Sequence, residues 1–137
     1  VVAVDYLDED PLDRIDVMDA LFGREKYVVS FGKTGMISKP ELEREPNGVW
    51  TSIAGPRYTR LSGVLVAVRL VPSTVGTSRV WLIHNPWAAN PYSSELTQLP
   101  QGVPQKGHIE WRDGLNLAKA LGLMPGWPFV HGASDAG

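Results

Sequence analysis

The chain of 137 residues contains no cysteine, which excludes disulfides, thiolate nucleophiles and thiolate metal sites and agrees with an expected cytoplasmic location. Long apolar runs are also missing. The longest candidate, residues 61–71, is broken by Ser62, Gly63 and Arg69 and falls short of the roughly 20 apolar residues a spanning helix needs, so no membrane association is expected. No signal-peptide pattern opens the sequence. There is no excess of positive charge: the formal net charge is -2, so the chain has no global positive field of the kind that gathers nucleic acid. Zinc-protease, EF-hand and GxSxG patterns are absent, as is any recognisable internal repeat. Gly32-Lys33-Thr34 ends like a phosphate-binding loop, but Tyr27 stands where the first glycine of that motif belongs.

What remains is an ordinary globular composition, 43% hydrophobic and 20% charged. It predicts one domain over residues 1–130 and a loose tail over 131–137. The expected class is α+β, a mixed β-sheet with a central hairpin, one N-terminal amphipathic helix and a short C-terminal helix. Val1 to Val4 read as a buried strand, and an apolar strand at that place implies further residues upstream or a neighbouring molecule to cover it.

Asp10 is expected to cap the first helix, with Pro11 as its first residue, Leu12, Ile15, Met18, Leu21 and Phe22 on one face, and Gly23 as its end. Lys26 to Phe31 read as a strand, Gly32 to Gly35 as a tight turn and 36–48 as a surface loop, with a short strand over Val49 to Ile53. In Arg60 to Leu70 both alternating sets are apolar, as in a strand covered on both faces. Val80 to His84 supply its antiparallel neighbour. Two Asn-Pro steps, Asn85-Pro86 and Asn90-Pro91, keep the following turn out of helical conformation. Leu96 to Gly107 are expected to be irregular, and Leu115 to Leu121 to form a helix stopped by Gly122 and Pro125.

Two groups of side chains have functional types. Asp5, His84, Asn85, Trp87 and Tyr92 could line a small-molecule pocket, strand-end polar groups setting orientation and rings supplying walls. The competing reading is structural, with the Asn-Pro turns and His84 satisfying backbone groups. Arg57, Tyr58 and Arg60 could contact a phosphate backbone, with Lys26 or Arg69 joining them, although scattered surface arginines need no such role. Asp5, Asp8, Glu9, Asp10, Asp13, Asp16 and Asp19 form an acidic cluster whose spacing fits no calcium loop; it is read as a solvated helix face, and no metal site or cofactor is assigned.

The segments DVMDALFG (Asp16 to Gly23), PNGVWTSIAGPRYTRLSGVLV (Pro46 to Val66) and LIHNPWAANPY (Leu82 to Tyr92) resemble the C-terminal part of uncharacterised bacterial proteins of the divergent PD-(D/E)XK nuclease-like group. The resemblance implies that catalytic acids and a lysine would precede the strand that opens this chain. Here no lysine has Asp or Glu two positions earlier: Lys26, Lys33, Lys39, Lys106 and Lys119 follow Arg24, Phe31, Ile37, Pro104 and Leu117 at that spacing. No catalytic residue is therefore carried over. The expected function is a non-enzymatic, self-associating domain derived from such a protein, with a homodimer as partner. A small-molecule-binding protein or enzyme using the His84 to Tyr92 turn is the alternative. A metal-dependent nuclease ranks last, and nucleic acid is disfavoured without being excluded.

Overall fold

Two runs of valine, leucine and isoleucine set the centre of the fold. In the computed structural model, which describes residues 1–7, 11–106 and 108–129, they become β6 (Gly63–Val68) and β7 (Val80–His84). The two strands pair antiparallel from Gly63↔His84 to Ala67↔Val80. Every β7 residue is buried, and Ile83 is 0% exposed, as expected of strands covered on both faces.

Around this pair the sheet has the order β1-β6-β7-β8-β9. β1 (Val2–Tyr6) runs parallel to β6, from Val2↔Val64 to Tyr6↔Val68. β8 (Gln101–Gln105) is parallel to β7 through Leu82↔Gln101 and Ile83↔Gly102, and β9 (His108–Arg112) is antiparallel to β8. The sheet is thus mixed, and the protein is α+β.

Two expectations need correction here. β1 is a strand, but an exposed one: Val1, Val2 and Val4 are 55%, 43% and 49% exposed, because among the described residues β1 is the sheet edge, with β6 as its one neighbour. The 96–107 segment holds β8 in addition to irregular chain, and β9 follows it. Pro104 is tolerated in β8 because the register shared with β7 ends at Gly102, so its missing N–H interrupts no ladder on that side.

The chain divides into two compact units, Val1–Asp10 with Arg60–Gly137 and Pro11–Thr59, where length alone favours one domain. The second unit contains α1 (Arg14–Phe22), β2 (Glu25–Val28), β3 (Glu41–Arg44) and the short β4 (Thr51–Ser52) and β5 (Gly55–Pro56). α1 begins later than expected. Asp13 is its N-cap, accepting from the Asp16 N–H at 2.9 Å while the Asp16 carboxylate accepts from the Asp13 N–H at 3.1 Å, a reciprocal pairing that closes the first turn. Pro11 lies before the helix, and Asp8, Glu9 and Asp10 lie outside the described residues. Val17, Leu21 and Phe22 are buried, whereas Ile15 is exposed. Phe22 meets the fully buried Trp50 edge to face, 5.2 Å between ring centres.

β2 and β3 pair antiparallel around the turn expected at Gly32 to Gly35, so the polar 36–48 stretch contains a strand. The register runs from Glu25↔Arg44 to Val28↔Glu41, but Phe31 bridges Ile37. The return arm therefore carries one extra residue, and Pro40 sits in that irregular stretch, where no ladder donor is required. Arg44 locks this pair to α1, reaching Asp19 at 3.2 Å and Glu25 at 2.7 Å.

α2 (Leu117–Ala120) is shorter than the expected 115–121 helix. It ends as expected at Gly122, whose φ of 69° lets its N–H reach the Lys119 carbonyl while the Leu123 N–H reaches that of Ala118. This double bond pattern satisfies two terminal carbonyls. The tail 131–137, with His131 and Ser134, lies outside the described residues.

Candidate functional site

β7 ends at His84, and the next two residues turn the chain sharply. Asn85 makes that turn by local hydrogen bonding: its Oδ1 accepts from the Trp87 N–H at 3.0 Å, and its backbone carbonyl accepts from the Ala88 N–H at 3.2 Å. The Asn85 Nδ2 donates to the Leu61 carbonyl at 2.9 Å, and its N–H donates to that of Ser62 at the same distance. Asn85 is thus the clamp that fastens the end of β7 to the start of β6, the usual use of an Asx turn before proline. Gly63 permits the approach, since a Cβ there would stand 2.7 Å from the Ile83 carbonyl oxygen.

His84 is buried, and its Nε2 lies 2.7 Å from Gln101 Oε1. Gln101 Nε2 donates to the Ser94 carbonyl at 3.0 Å, which turns the amide oxygen toward the ring. Nε2 of His84 must then carry the proton, because an amide oxygen only accepts. In the neutral ring Nδ1 is left as an acceptor. The chain of contacts continues outward through Arg112, which donates to Ser94 Oγ at 3.2 Å and pairs with Glu110 at 2.6 Å.

The Tyr92 ring stands 5.9 Å from that of His84, inclined by 40°. His84, Asn85 and Tyr92, with Ser62 and Ser94, line an open cavity of about 250 Å³. A cavity of that size fits a small polar molecule better than a nucleotide, given that ligand pockets commonly run from ~300 Å³ upward. The structure therefore brings three of the five expected pocket residues together.

The other two lie elsewhere. Asp5 pairs with Ala67 at the far end of β6, whereas His84 pairs with Gly63, and four residues of strand separate these positions by roughly 13 Å. Its carboxylate accepts from the Leu70 N–H, at 3.1 and 3.3 Å from the two oxygens, and so anchors the exit of β6. Trp87 is 38% exposed and does not line the cavity.

Arg57 lies over the ring of Tyr58, 5.1 Å from its centre, and donates to the Tyr58 hydroxyl at 3.3 Å. Both belong to the Pro11–Thr59 unit, while Arg60 and Arg69 belong to the other. Lys26 lies on β2. Among the described residues no three of His, Asp and Glu converge as metal ligands, and no helix is long and apolar enough to cross a membrane.

Gln101 and Ser94 complete the His84 cluster, and sequence reasoning passed over both. Gln101 sits in Leu-Pro-Gln-Gly-Val-Pro, where proline and glycine conceal a strand, and a lone glutamine carries no motif. No family model, curated protein or solved structure matches the chain.

Proposed function

We propose that this chain is a non-enzymatic domain that works by self-association through the free edge of β1, and that it is related to nuclease-like proteins. The observation that carries the reading is the contrast between the two edges of one sheet. β9 presents His108, Glu110 and Arg112, the last two joined as an ion pair, and charged residues of this kind discourage further strand addition. β1 presents Val2, Ala3 and Val4 with no charge before Asp5, and its valines are exposed. A second β1 laid against it would complete the outer backbone hydrogen bonds and cover these side chains, which a two-fold dimer does for both copies at once. Within the 137 residues no lysine has Asp or Glu two positions earlier, which supports the non-enzymatic part.

Sedimentation of the 137-residue chain tests the reading. The expected result is a dimer, converted to a monomer of unchanged circular dichroism by Val2→Lys with Val4→Lys. A strictly monomeric wild type at high concentration, or a double variant that still dimerises, would refute it.

A second reading has its own observation, the grouping of His84, Asn85 and Tyr92 around one cavity. On this reading the Nδ1 acceptor of His84 and the nearby Ser62 and Ser94 bind a small polar ligand. A compound that raises the melting temperature of the wild type should lose its effect in His84→Ala and Tyr92→Ala. If both variants respond as the wild type does, the ligand sits elsewhere. The metal-dependent nuclease reading draws no support from the described carboxylates and histidines.

A further inference from the structure

The segment joining β6 to β7, Arg69-Leu70-Val71-Pro72-Ser73-Thr74-Val75-Gly76-Thr77-Ser78-Arg79, begins and ends with arginine and contains no acid. Val68 and Arg79 face each other across the strand pair, the Val68 N–H donating to the Arg79 carbonyl at 3.1 Å. Both arginines border an open cavity of about 660 Å³ whose apolar wall is Leu7, Val68 and Val71. That volume lies within the range of small-molecule sites.

The backbone around this cavity is held in place. Arg69 has a φ of 49°, uncommon for a residue with a side chain, and is fixed there by its N–H donating to the Tyr6 carbonyl at 2.8 Å. Thr74 Oγ1 accepts from the Val71 N–H at 3.0 Å and lies 3.0 Å from the Arg69 carbonyl, and Ser78 Oγ donates to the Val68 carbonyl at 2.6 Å. These hydroxyls are committed to the loop.

Among the described residues no hydrogen bond or ion pair commits the guanidinium groups. Neither Arg69 nor Arg79 forms an ion pair among the described residues, in contrast to Arg44 and Arg112. Arg79 lies over the Trp81 ring, 5.4 Å from its centre, a contact that orients the plane while leaving its N–H edge available. Asp5, at the same end of the sheet, is engaged with the Leu70 N–H. Two planar cations beside an apolar wall match a group with two negative charges and several acceptor oxygens, attached to a nonpolar body.

We propose that this cavity binds the phosphate monoester group of an amphipathic small molecule, the phosphate between Arg69 and Arg79 and the nonpolar part on Leu7, Val68 and Val71. The inference is independent of the β1 edge and of the His84 cavity. Calorimetric titration of the 137-residue chain with phenyl phosphate and with inorganic phosphate tests it, alongside flotation with phosphatidylcholine vesicles with and without phosphatidic acid.

Saturable binding of phenyl phosphate, stronger than that of inorganic phosphate and weakened by salt, is the expected result for a free ligand. Arg69→Gln and Arg79→Gln should each weaken it by about tenfold or more, equivalent to ~1.4 kcal/mol. Val71→Asp, which puts a carboxylate in the cavity without touching either arginine, should abolish it, and Lys106→Gln, at the exposed β8–β9 turn of the same unit, should leave it unchanged. Binding confined to phosphatidic acid vesicles and lost in the same variants would support the site with a lipid headgroup as the source. Absence of binding to every probe, or binding that the Arg69→Gln/Arg79→Gln double variant retains, would overturn the proposal.

Discussion

Gly23→Ala is expected to destabilise the Pro11–Thr59 unit by about 3 kcal/mol or more, the sum of a backbone conformation closed to alanine and a direct collision. Gly23 has φ 95° and ψ 155°, a region in which a side chain is strained whatever the space around it. The space is also filled, since a Cβ would lie 1.8 Å from the Glu45 carbonyl oxygen. That oxygen belongs to rigid backbone, because the Glu45 N–H donates to the Arg24 carbonyl at 2.8 Å and Arg44 bonds both the Gly23 carbonyl and Asp19. Urea unfolding checks it, followed by the fluorescence of a variant in which Trp81, Trp87, Trp111 and Trp127 are replaced by Phe, so that Trp50, buried against Phe22 in the same unit, is the reporter. Gly48→Ala should show a similar loss, as its Cβ would stand 2.3 Å from the Gly23 nitrogen. A midpoint within error of the wild type for both variants would show that this backbone can part.

Gln101→Leu should lower stability by about 2–3 kcal/mol, the magnitude for leaving buried hydrogen-bonding groups unpaired. Leucine fills much the same space but cannot accept from His84 Nε2 or donate to the Ser94 carbonyl. The discriminating measurement is the double variant His84→Phe/Gln101→Leu. With the ring donor also gone, part of the loss should return, because replacing both members of a buried pair is milder than replacing one. If the double variant is instead less stable by the full sum of the two single effects, His84 and Gln101 are not energetically coupled.

The readable parts of this fold were those whose physics is local. β6 and β7 carry apolar residues on both alternating faces, Gly23 and Gly122 stand where helices stop, and Asn85-Pro86 forces a turn. Capping was nearly legible too, for Asp13 and Asp16 have the three-residue spacing of a reciprocal cap, but Asp10-Pro11 is a stronger start signal and misplaced the helix. The rest depends on distant neighbours. β3 and β8 contain or adjoin prolines that forbid a strand only where a ladder donor is needed, and register decides where that is. Val1 to Val4 have the composition of an interior strand, and nothing in those residues says that one side stays open. In the candidate site, the turn residues His84, Asn85 and Tyr92 were legible as a group because they are close in sequence. Gln101 was not, since parallel pairing of β8 with β7 brings it there, and Asp5 stands apart from the group because a strand end read from sequence does not say which end of the sheet it shares.

The parallel pairing of β1 with β6 also fixes an order of events during synthesis. Parallel neighbours cannot be joined by a tight turn, and here the crossover contains the entire Pro11–Thr59 unit. Val2 leaves the ribosome before Val64 and finds no ladder until Val64 has followed it. The intervening unit completes its own contacts meanwhile, and its folding shortens the loop that must close before β1 can dock. The apolar opening strand therefore spends the translation of that unit exposed, so the speed at which residues 11–59 condense governs how long the nascent chain is open to wrong encounters.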